Sequence, residues 1–267
     1  MDGTATPPSL KAPRQEPTRA PVVAIRTSRG RTGGTTVSDL RVQLGRHAGH
    51  EILVVDVDIR NATLSGLYPP GSKGGALRPA SDDPADVKEM ITAALETAHT
   101  TGASVVIDVG GGDRILQEYG TELALVEVCE TLGLTPLAVF STGPDEDDFD
   151  HIVKIWQSGA FCPSRSLLFF NEHLIPHGRK PSGVFAAIMM RPDLKEMITH
   201  GLEVVTLPRL PCMSEVRESG LGFFDAMAGK PGRNGRPLGP VRQFMVKHWL
   251  RQLDESFAES GVREWLP

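Results

Sequence analysis

What most constrains this chain is the way its short apolar runs end. Val22-Val23-Ala24-Ile25, Ile52-Leu53-Val54-Val55 and Val105-Val106-Ile107 are continuous rather than alternating. A strand with one wet face alternates; a continuous run reads as a strand buried on both faces, the signature of a parallel sheet under helices. The second run passes into Asp56-Val57-Asp58, and the third into Asp108-Val109 and then Gly110-Gly111-Gly112. The first is followed by Gly30, Gly33 and Gly34 and a helix-like stretch from Thr36 to about His47.

Helical spacing predicts a helix over about 84–100, with Val87, Met90, Ile91, Ala94, Leu95 and Ala98 on one face. Further helices are expected at about 114–132, 146–158, 213–228 and 238–258. Further strands are expected at about 136–140, 167–170 and 204–208. Strands alternating with helices predict an α/β fold, a mainly parallel sheet flanked by helices on both faces in three layers. Residues 1–20, rich in Pro, Thr and charge, read as a disordered tail. Residues 21–267 read as one α/β domain.

Composition narrows the classes. Apolar residues make up 40% of the 267 and charged residues 23%, ordinary globular chemistry. No apolar run reaches the ~18–20 residues of a membrane span, and the N-terminus has no apolar signal-peptide core. A cytoplasmic protein is the expectation. Cys129, Cys162 and Cys212 are scattered, which argues against a disulfide framework or structural zinc and for buried small hydrophobes. The net charge of -5 does not suggest nucleic acid. Yet Lys230, Arg233, Arg236, Arg242, Lys247 and Arg251 lie in a stretch without one acid, a local basic surface for DNA or an acidic protein partner.

In α/β sheets, ligands sit at the carboxyl ends of the strands, and there the notable residues fall: Gly30–Thr36, Asp58, Asp108 and Asn171. In Arg29-Gly30-Arg31-Thr32-Gly33-Gly34-Thr35-Thr36, glycines let backbone amides converge on a phosphate, and the following helix adds positive charge. Thr35 stands where a P-loop places its Mg²⁺-binding hydroxyl. The full motif would have Lys at Gly34 and Gly at Ser28, so the loop is degenerate; a ligand-free βα turn is the plain alternative. Asp56 and Asp58 end a buried strand, where a bare carboxylate needs hydrogen bonds, a cation or a metal. Asp108 after an apolar run has the pattern of a carboxylate that holds Mg²⁺ directly or through water.

Set in this order, residues 22–67 resemble the opening of ParA/MinD-type ATPases with their deviant Lys-Gly-Gly-x-Gly-Lys-Thr-Thr loop. Arg29 falls on that family's signature lysine. Gly30, Gly33, Thr35 and Thr36 match, Arg31 replaces a glycine, and Gly34 replaces the catalytic lysine. The resemblance implies ATP with Mg²⁺ as cofactors and a homodimer. It implies phosphate contacts from 30–36, metal contacts from Thr35, Asp56 and Asp108, and water positioning by Asp58. It also implies adenine reading by Asn171 beside Pro208, and rescue of turnover by Arg29 across a dimer. Phe169-Phe170-Asn171-Glu172, Leu207-Pro208-Arg209-Leu210, Phe223-Phe224-Asp225-Ala226 and the final basic helix resemble TraL-like conjugal-transfer proteins, which implies a nucleotide-dependent switch in plasmid transfer, mobilisation or partition. Without the lysine, hydrolysis is expected to be very slow or absent, and a catalytically inactive scaffold is the alternative.

Other clusters read structurally. Asp145, Glu146, Asp147, Asp148 and Asp150 open a helix, where acids suit the dipole. His173 and His177 are separated by Pro176, which argues against a helical zinc pair. Met189-Met190 reads as core. Val241, Met245, Trp249, Leu253 and Phe257 read as the docked stripe of the last helix, with Lys247 and Arg251 on another face.

Overall fold

The computed structural model describes residues 19–58, 61–110, 113–181 and 183–266. The expected tail therefore lies almost wholly outside the described residues. Among these, the strands β1 (Val22–Thr27), β2 (Ile52–Asp56), β3 (Ser104–Gly110), β4 (Thr135–Thr142), β5 (Ser166–Asn171) and β6 (Leu202–Leu207) form one sheet. Its order is β2-β3-β1-β4-β5-β6, and every pairing is parallel. The central β1 and β3 are buried along their whole length, as their continuous apolar runs require.

The helices are α1 (Gly34–His47), α2 (Thr63–Leu67), α3 (Pro84–Thr101), α4 (Asp113–Leu123), α5 (Leu125–Thr131), α6 (Glu146–Gln157), α7 (Ala186–Met189), α8 (Pro192–Thr199), α9 (Met213–Ser219), α10 (Phe223–Met227) and α11 (Pro240–Glu259). They divide between two cores. Val87, Ile91, Phe149, Ile152, Leu194 and Met197 pack on one face of the sheet. Val37, Leu40, Val216, Phe223, Trp249 and Phe257 pack on the other. The fold is thus the three-layer α/β arrangement expected. Since α1 leaves β1 toward one face and α4 leaves β3 toward the other, the sheet changes winding between these neighbouring strands, the place at whose carboxyl ends such sheets bind ligands.

Sequence periodicity and structure part in several places. The helix expected at 114–132 is two, broken at Ala124, which adopts φ 50°. Left-handed backbone costs an L-residue roughly 1–2 kcal/mol. Ala124→Gly is therefore expected to raise stability by about 0.5–1 kcal/mol, read as a higher urea midpoint at unchanged slope. The 213–228 helix is likewise two, interrupted by Gly220 at φ 70°. Met189 and Met190 are 45% and 72% exposed, not core, because α7 is only one turn and turns its C-terminus outward. On α11 the buried stripe is Val246, Trp249, Leu253 and Phe257, while Val241 is 66% exposed. A row of i+4 steps drifts around a 3.6-residue helix, so the sheet-facing line must shift by one residue near the N-terminus. Cys129 and Cys212 are buried and Cys162 half-buried, all as free thiols, and burial pushes the Cys129 thiol up to about 12.

Candidate functional site

The loop between β1 and α1 has a defined shape. Arg31 and Gly33 take φ 71° and 87°. Thr32 pins the loop from beneath: its Oγ1 donates to the Arg29 carbonyl at 2.8 Å and lies 3.0 Å from Ser28 Oγ and 3.1 Å from Ser141 Oγ on β4. Asn171, at the end of β5, donates from Nδ2 to the Thr32 carbonyl at 2.9 Å, and its Oδ1 accepts from the His173 amide at 3.0 Å. A Cβ on Gly33 would fall far inside the 3.0 Å that real Cβ atoms keep from other heavy atoms, against Asn171 Nδ2. Gly33 thus serves both its positive φ and this close approach. Thr36 and Val37 donate back to the Gly33 carbonyl. Among the described residues, the amides of Gly30, Arg31, Gly33, Gly34 and Thr35 donate to no acceptor in the protein. They are left for an external acceptor at the start of a helix, the arrangement that favours an anion.

The two acidic strand ends adjoin this loop. Asp56 and Asp108 face each other in the β2–β3 register. Asp56 is occupied: Oδ2 accepts the Ser65 amide and hydroxyl, each at 2.7 Å, and Oδ1 accepts the Asp58 amide at 3.2 Å. Burial holds its pKa above the ordinary carboxylate value, although the Ser65 bonds pull the other way. These bonds fix the turn that leads into α2. Asp58 accepts the Asn61 amide at 3.0 Å, and its carboxylate closes on Gly110, where a Cβ would collide with it. Asp108 is 2% exposed; its Oδ1 receives the Gly110 amide at 3.1 Å and Arg26 Nη1 at 2.7 Å.

Arg26 was not singled out from the sequence. It is the next-to-last residue of β1, 5% exposed, in register with Asp108. Its guanidinium lies under the start of α1, so that a Cβ on Gly34 would overlap Nη2, Nε and Cζ. Two departures from the P-loop pattern are therefore one event: glycine at 34 is the space that the arginine at 26 needs. The pairing of a charged residue near the end of a buried strand with a glycine in the lysine position was the signal that could have found it.

The other expected residues take these places. Arg29 is exposed, with Nη1 3.4 Å from Asp148. Arg31 is exposed at the loop apex. Pro208 is buried just after β6, beside Asn171 through the Asn171–Leu207 register, and its carbonyl accepts Trp249 Nε1 at 2.8 Å. Asp145 caps α6 through the Asp147 amide, while Asp148 and Asp150 pair with Arg29 and Arg191. Among the described residues no group of three or more His, Cys, Asp and Glu is placed to hold a metal. Of the basic stretch, Lys230, Arg242 and Arg251 have acidic partners in Asp225, Glu215 and Glu255. A separate cavity of about 350 Å³ lies between α1 and α10, but its chief carboxylate, Asp39, is already engaged by Gln43, Tyr68 and Arg217. No helix of the described residues is long and apolar enough to cross a membrane.

No protein-family model matches the chain, and no curated protein matches it. Among solved structures it is similar to the MinC:MinD cell division protein complex of Aquifex aeolicus, at 14% identity over 88% of this chain and 97% of that one, with a TM-score of 0.50. It is also similar to the MinD cell division protein of Aquifex aeolicus, at 15% identity over 88% and 98%, with a TM-score of 0.46. A nucleotide-binding protein in complex with ADP from Archaeoglobus fulgidus is similar at 12% identity over 74% and 86%, with a TM-score of 0.40. The first likeness shows the fold alone, a six-stranded parallel α/β sheet flanked by helices like that of the MinC:MinD structure.

Proposed function

We propose that this protein is a nucleotide-dependent switch of the ParA/MinD type, with its phosphate site at residues 30–36. The observation that carries this reading is the set of loop amides without an acceptor among the described residues, in a loop held by Thr32 and Asn171 at the carboxyl end of β1. Amides fixed in advance need no reorganisation when an anion arrives. The Thr35 hydroxyl at the helix start and Asp108, acting through water, are the groups that would hold a nucleotide's hydrated Mg²⁺, while Asp56 is taken up by Ser65 and the Asp58 amide. When bound, Mg²⁺ would neutralise phosphate charge. The protein's own part is to hold the phosphates with the loop amides and to place Asp58 beside the reacting face. Asn171 and Pro208, at neighbouring strand ends, would flank the base.

The departures shape the expected chemistry. Gly34 leaves the helix without the cation that normally meets the γ-phosphate, so turnover is expected to be far slower than binding. Arg29 is exposed, with a long contact to Asp148 among the described residues, and on this reading is the group that reaches the nucleotide of a second copy. The diffuse likeness of 169–172, 207–210 and 223–226 to TraL-like proteins supports a role in plasmid transfer, mobilisation or partition. Within the basic segment 230–251, Lys247 and Arg251 on one side of α11 support contact with DNA or an acidic protein.

Titration calorimetry with ADP and ATP, with and without Mg²⁺, tests the reading. Saturable 1:1 binding of ADP is the expected result, and no heat up to millimolar nucleotide would overturn it. ATPase rate per molecule should rise with protein concentration and fall in Arg29→Ala. Robust turnover that ignores both would show that Arg29 has no such role.

A further inference from the structure

We infer that Arg26 is the cation of this phosphate site, delivered from the sheet in place of a lysine delivered from the helix. The inference rests on the nucleotide-binding reading and adds a residue to it. Its starting point is a volume: the guanidinium fills the space that any side chain at Gly34, the first residue of α1, would need. It is a charged group, 5% exposed, whose Nη1 donates to Asp108 and whose buried Nε has no hydrogen-bond partner among the described residues. Leaving a buried donor unpaired is costly, and native proteins seldom do so without a reason. A phosphate oxygen seated on the loop supplies the missing acceptor. Asp108 then has a second task, since it balances the arginine's charge while the site is empty.

Arginine differs from lysine here in a way that matters. Its donors sit in a rigid fork and its charge is spread over the plane, so one edge can stay on Asp108 while another faces a phosphate. A lysine at 34 follows the helix; Arg26 follows β1, the middle of the sheet. The charge is therefore placed by a strand that is buried along its length and paired on both sides, and the helix start needs only to keep glycine there. The same geometry implies that Gly34→Lys alone is harmful, because it forces two cations into one space. With Arg26→Met it should be tolerated.

The experiment uses the full chain and ADP as probe. Wild type, Arg26→Gln and the double variant Arg26→Met with Gly34→Lys are compared by calorimetry after circular dichroism shows each to be folded. Loss of one charge-assisted contact should weaken ADP binding about 10- to 100-fold in Arg26→Gln. The double variant should recover to within a few-fold of wild type. A second readout needs no folded variant: the Nε–H signal of Arg26 in the ¹⁵N-labelled wild type should shift and exchange more slowly when ADP is added. Wild type that binds no nucleotide overturns the functional reading and this inference together. Wild type that binds ADP while the Arg26 Nε–H signal stays still, or a folded Arg26→Gln that binds equally well, overturns the role of Arg26 and leaves nucleotide binding standing.

Discussion

Arg26→Met is expected to destabilise the protein by about 3–5 kcal/mol, the usual cost of removing one partner from a buried ion pair. The methionine can fill most of the arginine's volume, so the loss comes from charge rather than packing. Asp108 would keep the Gly110 amide but lose its cation, while 2% exposed in the middle of the sheet. Arg26→Met with Asp108→Asn removes both charges, and it should recover most of the loss, because neutral replacement of a whole buried pair is often nearly neutral in free energy. Urea unfolding at neutral pH checks this. The midpoint should fall in the single variant and return in the double at similar slope. A single variant within about 1 kcal/mol of wild type would mean that Asp108 does not depend on Arg26.

Trp249→Ala should be equally damaging, at about 3–5 kcal/mol. Trp249 is 1% exposed on α11 and packs against Phe223 at 4.7 Å between ring centres. Its loss would leave a void between α11, α10 and the sheet. For a domain of this size, the fall in melting temperature should be about 6–20 °C. Trp249→Phe separates packing from hydrogen bonding. The ring is largely kept, but the Pro208 carbonyl loses its donor, which should cost about 1–3 kcal/mol. Because Pro208 adjoins Asn171, the Phe variant should also weaken ADP more than pyrophosphate. Equal weakening of both would argue that the 208 region does not face the base. A drop below about 1 kcal/mol in Trp249→Ala would mean that α11 is peripheral to folding rather than part of the second core.

Much of the architecture was present in local chemistry. Continuous β-branched runs announce strands buried on both faces, helical spacing places Val87 to Ala98, and a parallel sheet brings the loops that follow its strands to one edge. Hence the positions of the 30–36 loop, Asp58, Asp108 and Asn171 along that edge could be read from one dimension. Each depends on residues close in sequence, and period and turn chemistry act at that range. The exposure of Met189, Met190 and Val241 could not be read so, because composition does not say where a short helix points or how a stripe drifts over twenty residues. Nor could the work of Arg26. By itself Val-Val-Ala-Ile-Arg-Thr is a strand with a charge near its end, and Gly34 is a missing lysine. Only the parallel pairing of β1 with β3 sets Arg26 against Asp108, and only the turn of the loop brings Gly34 over the guanidinium. A buried charge is affordable where a countercharge and an empty volume meet it, and that meeting is made by tertiary structure.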